Sequence, residues 1–508
     1  MLGSFWTLVT NVWTALLPPG SLYARFARGA FWSLVGTAIA QGLSIVSSVV
    51  VARMLGKVGY GELGMINSTV GMFGVFAGLG LGLTATKYVA EFRSKDPDRA
   101  GRILGLSELA AVVSGGTVSL ILFALAPILA EHTLNAPHLV NELRLGCGLL
   151  FLNALVGVQT GALAGFEAFG AIARVNLWRG LFNFLMIIVG VQLFGLMGAV
   201  AATVIVGILG WWLNQRALRK EYSKWGVIVT IGEWHSELSV LWGFALPAFL
   251  SSLPVGPAMW LANTLLVTQP GGYGELGAYN AVMQVKRALE FVLLTFMNPL
   301  LPMLSEQYGK ADNEAYSKSL FFAFCISTGL LGPLALFLIA APDLVLLPYG
   351  QDFAKHRVLA QWLLIHTLLV ALFAPLGSVV PSMGRMWFGF AYNLSWGLLF
   401  LSLSYFLIPL YLANGMAVAF VLTHAITSLL SFGYIYVFER RFLVGFPLMK
   451  VTIGLFVLSA LSMVARGFLP IIWAGIVGTM CGSVVVVFLM VSLRRHGVRI
   501  ERYIPWRV

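Results

Sequence analysis

Charge is what this 508-residue chain has least of. Only 10% of its residues are Asp, Glu, Lys or Arg, against about 25% in soluble domains. That deficit excludes a soluble globular fold. Cysteine is equally scarce: Cys147, Cys325 and Cys481 lie far apart in apolar runs, so neither a disulfide framework nor a metal knuckle is indicated. The seven histidines are scattered without ligand spacing. Loops are short throughout. The longest polar stretch, about 216–237, is too small for a separate catalytic domain.

What fills the chain instead is apolar. Hydrophobic residues make up 59% of it and the mean hydropathy is +0.88. A run of about 20 such residues spans a bilayer. We read fourteen runs, near 31–52, 63–90, 104–130, 142–165, 176–195, 197–217, 239–265, 277–304, 318–341, 358–381, 387–409, 413–437, 449–465 and 471–493. The expected fold is therefore an all-α polytopic membrane protein with about 14 transmembrane helices.

The net charge of +12 is explained by the same layout. With the N-terminus inside, only Arg53, Lys57, Arg144, Lys355, Arg357 and Arg466 of the 32 Lys and Arg residues fall outside. This positive-inside bias predicts both termini in the cytoplasm and removes the need for a nucleic-acid partner. Residues 1–24 stand apart. Phe5, Trp6, Val9, Val12, Trp13 and Leu16 share helical spacing, and Pro18-Pro19-Gly20 ends the run, which predicts an interfacial amphipathic helix.

The chain also repeats itself. Gly59-Tyr60-Gly61-Glu62-Leu63-Gly64 recurs as Gly272-Tyr273-Gly274-Glu275-Leu276-Gly277, and Asn67 matches Asn280 at the same offset of 213. Further on, Asn176-Leu177 and Gly180-Leu181 match Asn393-Leu394 and Gly397-Leu398, and Ala199-Val200-Ala201 matches Ala417-Val418-Ala419. Two anchors in order predict a duplicated unit of roughly six helices, the design of many transporters whose substrate site lies where the repeats meet. The expected organisation is a six-helix bundle over 25–218, a cytoplasmic linker over 219–238, a second bundle over 239–440 and two additional helices with a tail over 441–508. The Gly-x-Gly-x-x-Gly spacing sits between apolar helices rather than after a strand, so it does not indicate a dinucleotide site. A tight interhelical turn is expected there.

The eighth span carries the residues that point to chemistry. Lys286 and Arg287 lie about ten residues inside it, roughly 15 Å deep and near the bilayer midplane. Glu290 is placed to pair with Lys286 at i+4. Asn280, Gln284 and Arg287 form a polar stripe. Charges at such depth usually face a cavity or a partner, so a cationic lumen is expected. The matching positions in the first half, Asn67, Gly71, Gly74 and Gly78, would offer room opposite it. Ser33, Thr37, Gln41, Ser44 and Ser48 make a polar stripe on the first span, with Arg53 and Lys57 at its outer end. Lys87, Arg93, Lys95, Arg99 and Arg102 cluster at the cytoplasmic end of the second. Lipid contact explains most of that cluster. The seventh span, with Pro247, Pro254 and Pro257, is expected to be bent or broken.

Residues 29–102 resemble the start of bacterial polysaccharide (O-antigen type) flippases, a family of the multidrug/oligosaccharidyl-lipid/polysaccharide exporter superfamily. The residues that carry the resemblance are Ala52-Arg53-Met54-Leu55-Gly56, Gly59-Tyr60-Gly61, Gly78-Leu79-Gly80 and Lys87-Tyr88-Val89-Ala90-Glu91. The resemblance implies two six-helix bundles in a V around a central cavity in the bacterial cytoplasmic membrane. It implies alternating access and translocation of an undecaprenyl-pyrophosphate-linked oligosaccharide, with membrane lipids and polysaccharide-assembly proteins as partners. No cofactor is expected beyond a coupling ion, H+ or Na+. The N-terminal 24 residues and the Lys286-Arg287 pair depart from the family's pattern. Two rivals are an ion-coupled antiporter of the same superfamily and a membrane polymerase or glycosyltransferase. The first and seventh spans lack Asp and Glu, and no large outer loop is present, so both fit the chain less well. The expected cavity set is Asn280, Gln284, Lys286, Arg287, Glu290, Gln41, Ser48, Arg53 and Lys87.

Overall fold

The structure is a computed structural model and describes residues 22–495, except 233, 241, 243, 244, 298, 384 and 444–447. The interfacial helix expected over 1–24 therefore lies, up to residue 21, outside the described residues, as do the side chains of Ser33 and Thr37. The described residues form helices and turns without a strand. The principal helices are α1 (Leu22–Gly78), α2 (Leu81–Phe92), α3 (Pro97–Ile128), α4 (Val140–Gly165), α5 (Phe169–Trp225), α6 (Leu246–Ser252), α7 (Val255–Val267), α8 (Gly272–Met297), α9 (Leu300–Gly309), α10 (Asn313–Ala340), α11 (Arg357–Phe373), α12 (Met386–Phe438), α13 (Leu448–Phe468) and α14 (Ile471–Arg495). Among the described residues nine helices are long and apolar enough to cross a membrane, or ten with the pair 357–373 and 376–382, bent by 53°. The chain is a multi-pass membrane protein.

Three of the long helices are broken inside. Gly56 (φ 71°) interrupts α1, Gly195 (φ 57°) interrupts α5 and Leu412 (φ 52°) interrupts α12. The limbs on either side of a break fold back on one another. A Cβ on Gly190 would collide with the carbonyl oxygen of Gly198, and one on Gly415 with that of Leu407, although residues eight apart in a straight helix are separated by about 12 Å. The breaks at Gly56 and Leu412 fall between two of the runs read from the sequence, and the one at Gly195 falls on the last residue of a run. Glycine supplies the left-handed conformation at two of them without steric cost. At Leu412 a branched side chain adopts it.

On the seventh run α6 and α7 meet at Leu253-Pro254, but both residues keep helical angles and Leu246–Val267 runs as one span, so the expected break is slight. The segment 219–238, expected as a linker, is helical in its first part. Helix α5 continues past residue 218 to Trp225 and is ended by Gly226 in the left-handed region (φ 66°). Glu237, buried at the far end of the linker, accepts from Arg99 Nε at 3.2 Å and Arg102 at 3.4 Å, so two of the basic residues on α3 are spent on holding the linker. Arg93 likewise pairs with Glu167 at 2.6 Å.

The last two helices pack against α10. A Cβ on Gly478 or Gly482 would run into Phe337, Ala340 or Pro333. A buried aspartate anchors their connection: Asp343 accepts from Arg357 Nε and Arg466 Nε, each at 2.6 Å. Burial pushes the Asp343 carboxyl up, but the hydrogen bonds from Arg466 and Arg357 outweigh it and hold the group below the usual carboxylate range.

Candidate transport cavity

The repeated hexapeptide is a helix crossing, which corrects the expected tight turn. Both copies lie within helices α1 and α8, and neither contains a glycine with positive φ. Their glycines let the two backbones touch. A Cβ on Gly61 would strike the carbonyl of Tyr273, one on Gly277 the carbonyl of Lys57, and one on Gly64 the amide of Asn280. Around this crossing Tyr60 packs on Tyr349 (ring centroids 6.3 Å) and Phe353 (6.4 Å), and the Tyr273 hydroxyl donates to Leu134 O at 2.9 Å. Glu275 accepts from His356 at 3.0 Å, with Lys57 at 3.9 Å. Tyr60, Leu63 and Gly64 of this crossing also line a cavity.

The cavity has a volume of about 420 Å³ and lies between α1, α5, α7 and α8. Helix α1 contributes Ser44, Ser47, Ser48, Asn67 and Ser68 from both limbs, which the Gly56 break turns toward each other. Asn183 and Thr203 come from the two limbs of α5, and Asn263 from α7. Helix α8 presents Tyr279, Asn280, Gln284 and Arg287, its polar stripe. Hydrogen bonds across the elements fix several of these groups: Gln284 donates to Ser44 at 2.8 Å, Asn263 donates to Ser68 at 2.7 Å, and the Ser48 and Tyr349 hydroxyls are 2.7 Å apart. Four lining atoms have no partner among the described residues: Ser47 Oγ, Asn263 Oδ1, the Tyr279 hydroxyl and Asn280 Nδ2.

Of the expected set, Ser48, Asn280, Gln284 and Arg287 line the cavity, and the other five do not. Among the described residues Arg287 is the one charged residue on its wall; it is exposed and forms no ion pair with another of them. Lys286 points elsewhere. It is 3% exposed, lies 2.8 Å from Glu290 Oε1 and sits over the Phe420 ring (5.3 Å). Glu290 in turn is 3.7 Å from His366, whose ring lies 4.6 Å from that of His424. The cationic lumen expected from two adjacent basic residues thus holds one cation, because neighbours on a helix diverge by about 100°. Gln41 is half-buried on α1 outside the lining. Arg53 is exposed and donates to Pro348 O at 2.6 Å, outside the lining. Lys87 lies on α2 over the Tyr88 ring. Gly71 and Gly78, expected opposite the charged stripe, face open space away from it.

Asn183, Thr203, Asn263 and the two tyrosines were missed by sequence reasoning. Asn183 and Thr203 are isolated polar residues in apolar runs and Asn263 has only Thr264 beside it, so periodicity gives no signal. Tyr60 had one available clue, its place inside the repeated hexapeptide. No group of three or more His, Cys, Asp or Glu residues able to hold a metal occurs among the described residues.

Comparison with known proteins gives a consistent picture. The chain is similar to a lipid III flippase of Escherichia coli (strain K12), with 25% identity over 439 residues, 82% of this chain and 99% of the relative. Its fold is similar to an inward-facing multidrug resistance MATE family transporter of the MOP superfamily (TM-score 0.69, 16% identity, 82% of this chain and 99% of the other). It also matches the lipid II flippase MurJ in an inward closed conformation (TM-score 0.66, 13% identity, 92% and 99%). The family described as polysaccharide biosynthesis protein matches residues 26–307, more than half of the sequence, and the chain belongs to that family.

Proposed function

We propose that this protein is a flippase that carries a polyprenyl-pyrophosphate-linked oligosaccharide across the cytoplasmic membrane for surface polysaccharide assembly. The observation that supports this most directly is the polar cavity whose one charged lining residue, Arg287, has no acidic partner among the described residues. Its guanidinium is exposed and can grip a phosphate with two hydrogen bonds. The names of the similar proteins, lipid III flippase and lipid II flippase, support the same class of cargo.

Transport would proceed by alternating access, with the halves 25–218 and 239–440 rocking about the cavity. That division takes fourteen crossings, of which nine or ten stand out as long apolar helices among the described residues. Three of the nine long apolar helices fold back at a break, the bent pair adds a crossing, and α8 adds another that its four charged residues keep out of the apolar set. The linker 219–238 and both termini are then cytoplasmic, and 441–508 holds the two additional helices. On this topology the glycine crossing lies at the outer end, and the cavity is closed to the outside. Arg287→Ala should abolish polysaccharide export while leaving protein abundance intact, and Arg287→Lys should restore it only partly, since lysine cannot reproduce the bidentate contact. Normal export by Arg287→Ala at normal abundance would refute the assignment.

An ion-coupled antiporter of the same superfamily is favoured by one observation, the partly buried Glu290 beside the buried Lys286 and His366. A membrane-embedded carboxylate is what coupling to H+ or Na+ requires, and a coupled flippase would contain the same group.

A further inference from the structure

We propose that two matched Glu–His pairs, Glu62–His138 and Glu275–His356, clasp the end of the protein where α1 crosses α8, and that the clasp tightens when the histidines are protonated and loosens when they are neutral. The inference rests on the alternating-access reading and adds a control by pH at one end of the cavity.

The pairs are related by the repeat. Glu62 and Glu275 are the fourth residues of the two hexapeptides. Their partners lie in a second echo: Ala136-Pro137-His138-Leu139-Val140 and Ala354-Lys355-His356-Arg357-Val358 share Ala, His and Val, at the same spacing as Ala199 and Ala417. In each copy the histidine returns to the glutamate of its own hexapeptide. His138 Nε2 lies 2.8 Å from Glu62 Oε1, and His356 Nε2 lies 3.0 Å from Glu275 Oε1. The same contact at equivalent positions of both copies marks it as a feature of the repeated unit.

Each pair holds a segment that grips the other copy. Residues 129–139, which carry His138, offer the Leu134 carbonyl to the Tyr273 hydroxyl at 2.9 Å. Residues 347–356, which carry His356, present Pro348 O to Arg53 at 2.6 Å, the Tyr349 hydroxyl to Ser48 at 2.7 Å and the Phe353 ring to Tyr60. Tyr60 and Tyr273 are the second residues of the hexapeptides. The tyrosine of each copy therefore meets the segment pinned by the other copy's Glu–His pair.

His356 shows why protonation matters. Its Nε2 faces the Glu275 carboxylate, and its Nδ1 faces the Phe353 carbonyl at 3.3 Å. Both partners accept, and a neutral imidazole has one N–H. Only the imidazolium donates to both, and a charged donor holds a carboxylate more tightly than a neutral one. Lys57, 3.9 Å from Glu275, and Tyr273, beside Glu62, also face the pairs. Of these side-chain types histidine is the one that changes charge between about pH 5 and 8. The clasp is therefore strongest at the acid end of that range and weakens as pH rises through it. On the proposed topology this end faces outside, so external acid holds the cavity shut. The two pairs differ in weight. The His138 side chain is 61% exposed, and exposed pairs contribute little, whereas those of His356 and Glu275 are 11% and 18% exposed.

The test places spin labels at Glu131→Cys and Gln351→Cys, exposed positions on the two gripping segments. The full chain is held in lipid nanodiscs, with Cys147, Cys325 and Cys481 replaced by serine. Raising the pH from about 5.5 to about 8 should enlarge the population with the longer separation at least about threefold. His356→Gln should remove most of that response, and His138→Gln a smaller part. A wild-type distribution unmoved by pH would overturn the inference, and so would a response that persists in the His138→Gln/His356→Gln double variant. Both results leave the flippase reading standing. A single short separation at every pH, in Gly61→Val as well as in the wild type, would overturn alternating access at this end and the inference with it.

Discussion

Lys286 and Arg287 are adjacent in sequence and serve different ends in the structure. Arg287 faces the cavity, whereas Lys286 is locked to Glu290 beneath Phe420 and beside His366. The i+4 spacing made that ion pair readable, and the spacing of Asn280, Gln284 and Arg287 made the polar stripe readable. Which of two neighbouring cations faces the lumen depends on what packs against each side of α8, and one helix cannot reveal that. The account therefore separates the two by phenotype. Lys286→Met and Glu290→Gln should each lower the amount of folded protein, because removing one partner of a buried pair costs on the order of 3 kcal/mol. The double variant Lys286→Met/Glu290→Met should be less impaired than the sum of the single changes. Thermal midpoints and size-exclusion profiles in detergent provide the measurement. Wild-type stability with lost export in both single variants would place the pair in the transport site instead.

Helices read from hydrophobic runs were legible wherever the run was long, and their junctions were much less so. The Gly56 and Gly195 breaks fall at glycines beyond or at the end of a run, whereas the equivalent break in α12 falls at Leu412, where no residue type announces it. The repeated hexapeptide was visible as a repeat, but its role was not. Two copies 213 positions apart touch each other, and a glycine required for such contact looks the same in sequence as one required for a turn. This crossing predicts a conformational effect. A valine at Gly61 would meet the Tyr273 carbonyl, and overpacking of this kind costs about 1–3 kcal/mol. That is enough to shift a balance between closed and open ends by about tenfold. In a Ser48→Cys background, Gly61→Val should speed labelling by a membrane-impermeant maleimide from outside by about that factor. An unchanged rate would mean that the crossing does not close this end.

At the scale of the whole molecule, composition alone established a polytopic membrane protein, and the paired anchors pointed to a duplicated unit. What sequence could not supply was the shape of the space between the helices. Four helices from distant parts of the chain bring single polar residues to one wall, and only their packing makes Asn183, Thr203 and Asn263 neighbours of Arg287. The central claim is that this wall carries a lipid-linked sugar from one leaflet to the other. Its most direct test is reconstitution in liposomes loaded in the inner leaflet with a polyprenyl-pyrophosphate oligosaccharide, with its appearance in the outer leaflet followed by an added, impermeant glycosidase. The account predicts cleavage well above that of protein-free liposomes with the wild-type chain, and background cleavage with Arg287→Ala. Background cleavage with the wild-type chain, or equal rates for the wild type and Arg287→Ala, would contradict it.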